Sequence, residues 1–124
     1  MATQTIWQRL TTWWQHRHQT APELTITDGV WLEQRDQGHY RLGLANDARK
    51  QMGTLSFVDL PILSGDHLAA GDDILEVESD KAVQNFQTPT AGTVVKINET
   101  LMDNPETINT NDQAANWVLE LQAD

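Results

Sequence analysis

Residues 73–98 read DILEVESDKAVQNFQTPTAGTVVKIN, and the apolar pattern of this stretch decides the fold class. Its apolar residues form three short runs, around Ile74–Val77, Val83–Phe86 and Val94–Ile97, which tight polar or Gly/Pro junctions separate. Runs of this length and spacing predict β-strands. A chain built from such strands with few helices folds as a small sandwich or barrel, so we expect a mainly β domain.

The junction between the first two runs is Ser79-Asp80-Lys81-Ala82. Its composition predicts a type I turn at the tip of a β-hairpin, with the Asp80 carboxylate accepting local amide hydrogens. Lys81 would then be fully exposed at that tip. Lys50 and Lys96 are the two other lysines, and neither lies at a predicted hairpin tip. From spacing alone, an ordinary solvated turn lysine is the simpler interpretation.

The sequence before this stretch predicts further strands. Residues 29–34 and 39–45 are expected to form two strands joined by a polar turn at 35–38. A third strand, residues 54–61, is expected to end at Pro61, because proline cannot continue a strand ladder. Together with the central runs, these segments favour an all-β core.

A short helical turn is predicted between the second and third of these strands, over residues 46–53. Asn46 or Asp47 is the expected N-cap, and Gly53 the expected terminator. Two later junctions, Gly65-Asp66 and Gly71-Asp72, predict tight turns. In each, glycine supplies a positive φ and the aspartate accepts a hydrogen bond from the local backbone.

Composition excludes several classes of function. The 124 residues include 8 Lys+Arg and 18 Asp+Glu, a formal net charge of −10, so a nucleic-acid phosphate backbone would be repelled. The chain has no cysteine, which excludes disulfides, thiolate metal sites and a cysteine nucleophile. Any redox chemistry therefore needs a group supplied from outside. No apolar run approaches a membrane span and no secretory signal is present, so we expect a cytoplasmic protein.

The N-terminal segment differs in charge from the rest of the chain. Residues 1–22 contain two arginines, no acid and three of the five tryptophans, with apolar residues at helical spacing. We expect an amphipathic helix over about residues 5–18, and we divide the chain into an extension, 1–22, and a domain, 23–124. The helix could cap the domain, bind a partner or lie at an interface. His16 and His18 supply too few ligands for a metal site.

A series of short segments, in order along the chain, resembles the glycine cleavage system H protein family of lipoyl carriers. Each segment is unspecific alone, but the ordered series is specific and covers residues from about 28 to 121. The matching segments are Phe57–Pro61, Gly65, Ala70–Asp72, Val77–Ala82, Thr88–Val95, Asn98–Leu101, Pro105, Ile108–Asn109, Asp112 and Trp117.

This resemblance implies a barrel-sandwich hybrid of the lipoyl/biotinyl type, with short flanking helices. It implies that Lys81 carries lipoate in amide linkage, and that Glu78, Ser79, Asp80 and Ala82 form the recognition context. No catalytic residue and no metal ligand is implied. The protein would be a non-catalytic carrier, whose lipoyl arm shuttles an aminomethyl group and reducing equivalents.

The resemblance also implies partners. Lipoate ligase or lipoyl transferase would load the lysine. Glycine decarboxylase, aminomethyltransferase and dihydrolipoyl dehydrogenase would use the loaded arm. We expect a monomer in the bacterial cytoplasm, with neither nucleic acid nor a membrane span involved.

Three features depart from the family pattern: Asp80, where an apolar residue is more usual; Gln113–Asn116, in place of a glycine pair before Trp117; and the Trp-rich extension. They leave open a divergent H-like lipoyl carrier, used in lipoate relay or in a stress-linked or ADP-ribosylation-linked pathway. A biotin carrier is less consistent with the sequence, because the lysine lacks flanking methionines. A domain that has lost modification is also less consistent, because the Glu78–Ala82 context is retained.

Overall fold

The structure, a computed structural model of the chain, describes residues 24–124. The predicted N-terminal helix and the extension 1–22 lie outside these residues, so that prediction stays a prediction. Within residues 24–124, no helix combines the length and the apolar character needed to cross a bilayer.

The described residues form nine strands and a few short helices, which confirms the expected mainly β fold. The strands are β1 (Leu24–Thr27), β2 (Val30–Asp36), β3 (His39–Leu44), β4 (Leu55–Asp59), β5 (His67–Leu68), β6 (Asp73–Ser79), β7 (Val83–Gln87), β8 (Gly92–Ile97) and β9 (Trp117–Ala123). The helices are α1 (Asn46–Met52), α2 (Glu99–Asp103) and α3 (Gln113–Asn116), with a 3₁₀ helix at Pro105–Asn109.

The strands pair into two antiparallel sheets that share one core. The larger sheet has the order β1-β2-β3-β9-β8-β5, and the smaller has the order β4-β6-β7. Leu42 and Leu119 of the larger sheet lie in the same buried cluster as Val77 and Phe86 of the smaller one. Successive side chains of a strand point to opposite faces, so the buried apolar residues of these strands form the two inner faces of a sandwich.

The two predicted Gly-Asp turns are present and have the same geometry. Gly65 and Gly71 each have a φ of 95°, which a residue with a side chain rarely adopts. The Asp66 carboxylate accepts the backbone N–H of Leu63 at 2.8 Å, and the Asp72 carboxylate accepts that of Ala69 at 2.9 Å. Both turns lead into strands of the core, and their predicted chemistry is confirmed.

Helix α1 ends as predicted but begins differently. Gly53 ends it with a φ of 82°, as expected. The expected side-chain cap by Asn46 or Asp47 is wrong, because the N-cap residue is Ala45, which makes no side-chain cap bond. The Ala45 backbone N–H donates to the Gly29 carbonyl at 2.7 Å. This hydrogen bond, between the residue after β3 and the turn before β2, fixes where the helix begins. Asn46 therefore lies in the first turn of the helix.

Strand β9 occupies a central position that the apolar runs did not reveal. It pairs with β3 from His39↔Gln122 to Gly43↔Trp117, and with β8 on its other side. The C-terminal strand, which is seven residues long, therefore lies between β3 and β8 in the larger sheet. Its partner β3 is far from it in sequence. Strand β2 also extends to Asp36, two residues into the predicted turn, through a bulge after Gln34.

The buried side chain of Asn98 joins β8, α2 and β9. Its Oδ1 accepts the Thr100 backbone N–H at 3.2 Å, which caps α2. Its Nδ2 donates to the carbonyls of Ala115, at 3.0 Å, and Trp117, at 2.7 Å. A buried amide that satisfies three backbone groups fixes the relative positions of the segments that supply them.

We predict that Asn98→Ala lowers the free energy of unfolding by about 2–4 kcal/mol, since it removes a helix cap and leaves two carbonyls unpaired. Urea denaturation followed by circular dichroism measures this loss. Asn46→Ala is the control, because Asn46 is exposed and makes no cap bond, and we expect a change within about 0.5 kcal/mol. Equal losses in both variants would contradict the structural role of Asn98.

Candidate site of covalent modification

Strands β6 and β7 form the predicted hairpin, and its base is anchored in the core. The strands pair from Asp73↔Gln87 at the base to Glu78↔Val83 next to the tip. Val77 is fully buried and Phe86 is nearly so. A hairpin with one face packed in a core has little freedom at its tip, so the turn is held in a defined position.

The turn at the tip is closed by two short-range hydrogen bonds. The Ser79 backbone N–H donates to the Ala82 carbonyl at 2.9 Å, and the Lys81 backbone N–H donates to Ser79 Oγ at 3.2 Å. The prediction that the Asp80 carboxylate accepts the local amide hydrogens is wrong. This exposed carboxylate accepts no hydrogen bond from residues 24–124, because the hydroxyl two positions before the Lys81 amide already satisfies that amide.

The Lys81 side chain is exposed at this tip, as the sequence predicts. The ion pairs within residues 24–124 do not include it, although Glu78 and Asp80 are its close neighbours in sequence. A Cβ added at Gly53 would lie 4.0 Å from Lys81 Cε, so the end of α1 faces the aliphatic part of the lysine side chain. The amine is therefore available for acylation.

The residues expected around Lys81 divide into two groups. Glu78, Asp80 and Ala82 are exposed, whereas Ser79 is half-buried and holds the turn. Glu78, Asp80 and Ala82 are therefore accessible to a partner, whereas Ser79 stabilises the turn.

Sequence reasoning missed three residues near the tip. Phe57 and Val83 lie directly across from Glu78 on the neighbouring strands, and Gly53 faces the lysine side chain. The apolar character of Phe57 and Val83 does not by itself indicate an exposed position. Only the pairing register, a long-range property, places them outside.

A groove of about 360 Å³ lies between β1, α1 and β7. Two of its residues, Gln51 and Gln84, are within three positions of Gly53 and Lys81, so one end of the groove belongs to the elements that flank the tip. Its lining combines apolar side chains with amides and two carboxylates. The lining residues are Ile26, Asp28, Gly29, Ala45, Asp47, Ala48, Gln51, Gln84 and Phe86. Such a lining fits a largely apolar chain that ends in a polar group.

Comparisons with known proteins agree with this geometry. Residues 22–124 match the family model described as Glycine cleavage H-protein. The chain is 45% identical, over 92 residues, to the glycine cleavage system H protein of Listeria monocytogenes serotype 4b, which covers 74% of this chain and 72% of that one. It is 37% identical, over 93 residues, to that of Citrobacter koseri, covering 75% and 71%.

A solved structure supports the same conclusion. The glycine cleavage system H protein from Mycobacterium marinum aligns with a TM-score of 0.70 and 31% identity, over 81% of this chain and 82% of that one. The expected barrel-sandwich hybrid is confirmed by this match together with the two-sheet topology.

We predict that Ser79→Ala speeds amide hydrogen exchange at Lys81 about threefold to tenfold, since the hydrogen bond that it removes contributes about 0.5–1.5 kcal/mol. Nuclear magnetic resonance measures this exchange residue by residue. Ser56→Ala is the control, because Ser56 is exposed and its hydroxyl donates only a long bond, 3.4 Å, to the Glu78 carbonyl. Unchanged exchange at Lys81 in Ser79→Ala would show that the hydroxyl does not hold the turn.

Proposed function

Because the chain belongs to the glycine cleavage H-protein family, we propose that it is a lipoyl carrier with lipoate in amide linkage on Lys81. The observation that carries the proposal is the position of this lysine. It is exposed at the tip of a hairpin whose base is buried, and no carboxylate within residues 24–124 pairs with it.

The other two lysines have different surroundings. Lys50 lies within the last turn of α1. Lys96 lies within β8, opposite Glu120 of β9, and its Nζ is 5.8 Å from the centroid of the Trp117 ring. A modifying enzyme must surround the amine that it acylates, and a hairpin tip admits this approach more readily than a helix or a paired strand.

The bound lipoyl group supplies two sulfurs, which can carry an aminomethyl group and a pair of electrons. The chain itself has no cysteine that could take this part. Its Ser79 hydroxyl closes the turn at the tip, and the ion pairs within residues 24–124 do not include Lys81. The protein would thus act as a non-catalytic carrier between glycine decarboxylase, aminomethyltransferase and dihydrolipoyl dehydrogenase, as a monomer.

The groove beside the tip would receive the distal part of the arm between visits to these enzymes. Ile26, Ala48 and Phe86 supply apolar contacts, and Gln51 and Gln84 supply amides. A tethered group has a high effective concentration at any site within its reach, so modest contacts suffice.

We predict that co-expression with a lipoate ligase, in medium containing lipoate, adds the mass of one lipoyl group to the protein. Lys81→Arg should abolish the addition, because arginine keeps the positive charge but cannot form the amide. Lys50→Arg and Lys96→Arg are the controls, and both should be modified as fully as the wild type. Intact-protein mass spectrometry gives the result, and an unmodified wild type would contradict the proposal.

We predict that the lipoylated protein supports glycine-dependent NADH formation when it is combined with glycine decarboxylase, aminomethyltransferase and dihydrolipoyl dehydrogenase, with tetrahydrofolate to accept the aminomethyl carbon and NAD⁺ to accept the electrons. Lys81→Arg should give no turnover above the carrier-free reaction. The same assay tests the alternative role in lipoate relay. Full lipoylation of the wild type without glycine-dependent turnover would contradict the role in glycine cleavage and favour the alternative.

A further inference from the structure

The outer face of the smaller sheet carries two exposed apolar side chains beside the modification site. Cross-strand pairing aligns Phe57 of β4, Glu78 of β6 and Val83 of β7 in one row, which is the row next to the hairpin tip. Residues paired in this way point to the same face of a sheet. The next row inward is Val58, Val77 and Gln84, and Val77 is fully buried, so the Phe57 row faces outward.

The exposure of this row is large for apolar side chains in a small domain. Phe57 is 48% exposed and Val83 is 60% exposed. Single exposed apolar residues are common on protein surfaces. Here two of them lie on either side of one carboxylate, on the two edge strands of a three-stranded sheet. We call this face, Phe57, Val83 and the acids of the smaller sheet, the hairpin face.

The charge of the hairpin face has one sign. The three strands of the smaller sheet contain four acids, Asp59, Asp73, Glu76 and Glu78, and neither lysine nor arginine. Asp59 is paired with Glu76 in the row beyond Val58. Asp73 accepts a hydrogen bond from Gln87 Nε2 at 2.8 Å, so its position at the base of the hairpin is fixed. Adjacent like charges on a sheet are unfavourable unless a partner neutralises them.

We propose that the hairpin face is the docking surface for the enzyme that acylates Lys81, through an apolar recess for Phe57 and Val83 with a rim of arginine or lysine. This proposal rests on the proposed lipoyl carrier function. Glu78 is three residues from Lys81, and Val83 is two residues beyond it. An enzyme that brings its catalytic groups to the Lys81 amine must therefore lie close to this row.

Charge decides between this occupant and a second copy of the chain. A symmetric dimer through the hairpin face would bring two sets of four carboxylates together, and the smaller sheet offers no cation to separate them. A basic enzyme surface removes the repulsion and desolvates the two apolar side chains in the same step. The same charges would accelerate its approach at low salt.

The test compares the rates at which a purified lipoate–protein ligase, with lipoate and ATP, modifies four single variants. Phe57→Ser and Val83→Thr remove apolar surface from the hairpin face. Leu63→Ser and Met102→Ser are matched controls, because these side chains are 70% and 54% exposed and lie outside the smaller sheet. Val83→Thr keeps the shape and the strand preference of valine, so the test does not depend on Phe57→Ser folding correctly.

We expect Phe57→Ser to raise the KM for the carrier about tenfold and Val83→Thr to raise it about threefold, with kcat within about twofold of wild type. Leu63→Ser and Met102→Ser should leave both constants within about twofold. The KM of the wild type should rise with ionic strength. Thermal unfolding of each variant confirms that the fold is retained.

If the ligase modifies both Phe57→Ser and Val83→Thr with the same KM as the wild type, the docking proposal is wrong. The proposed lipoyl function would still stand. Failure of the wild type itself to be loaded would instead overturn the proposed function. A KM that falls severalfold in Phe57→Ser would show that another part of the chain covers this face in the wild type, which also contradicts the proposal.

Discussion

Burial of one face of the β6–β7 hairpin is the constraint on which the rest of the structure depends. Successive side chains of a strand point to opposite faces, so burying Val77 forces Glu76 and Glu78 outward. The same alternation on β7 buries Phe86 and exposes Val83. Once these positions are fixed, the turn that joins the two strands extends away from the core into solvent. The exposed position of Lys81 thus follows from core packing several residues away.

The remainder of the chain holds the elements that flank this hairpin. The Asn109 side chain accepts the Leu55 backbone N–H at 2.9 Å and donates to the Leu55 carbonyl at 3.0 Å, which fixes the start of β4. The buried guanidinium of Arg49, in α1, donates to the Thr110 carbonyl and to the Asn111 side chain. Both connections run from the 3₁₀ helix and the loop after it. These contacts therefore hold β4 and α1 in place on either side of Gly53, beside the lysine side chain.

The sequence predicted most local features of this arrangement, although the acceptor in the turn is Ser79 rather than Asp80. The hairpin, the two Gly-Asp turns and the end of α1 at Gly53 each depend on residues that are neighbours along the chain, and each was predicted correctly. Features that depend on distant residues were missed or assigned wrongly. The central position of β9 requires pairing with β3, about 80 residues earlier in the chain, and apolar periodicity contains no such information. The N-cap at Ala45 depends on the Gly29 carbonyl, and the outward position of Phe57 depends on its pairing with Glu78.

A carrier of this kind separates two tasks that an enzyme combines. The protein provides an acidic surface with a lysine exposed at a hairpin tip, and the attached group would provide the reacting atoms. The most direct test is the mass of the full chain isolated from its native cells, with peptide fragmentation across residues 73–98. Our account predicts one lipoyl group, on Lys81. Protein from cells grown with ample lipoate that has an unmodified Lys81, or a lipoyl group on Lys50 or Lys96, would contradict it.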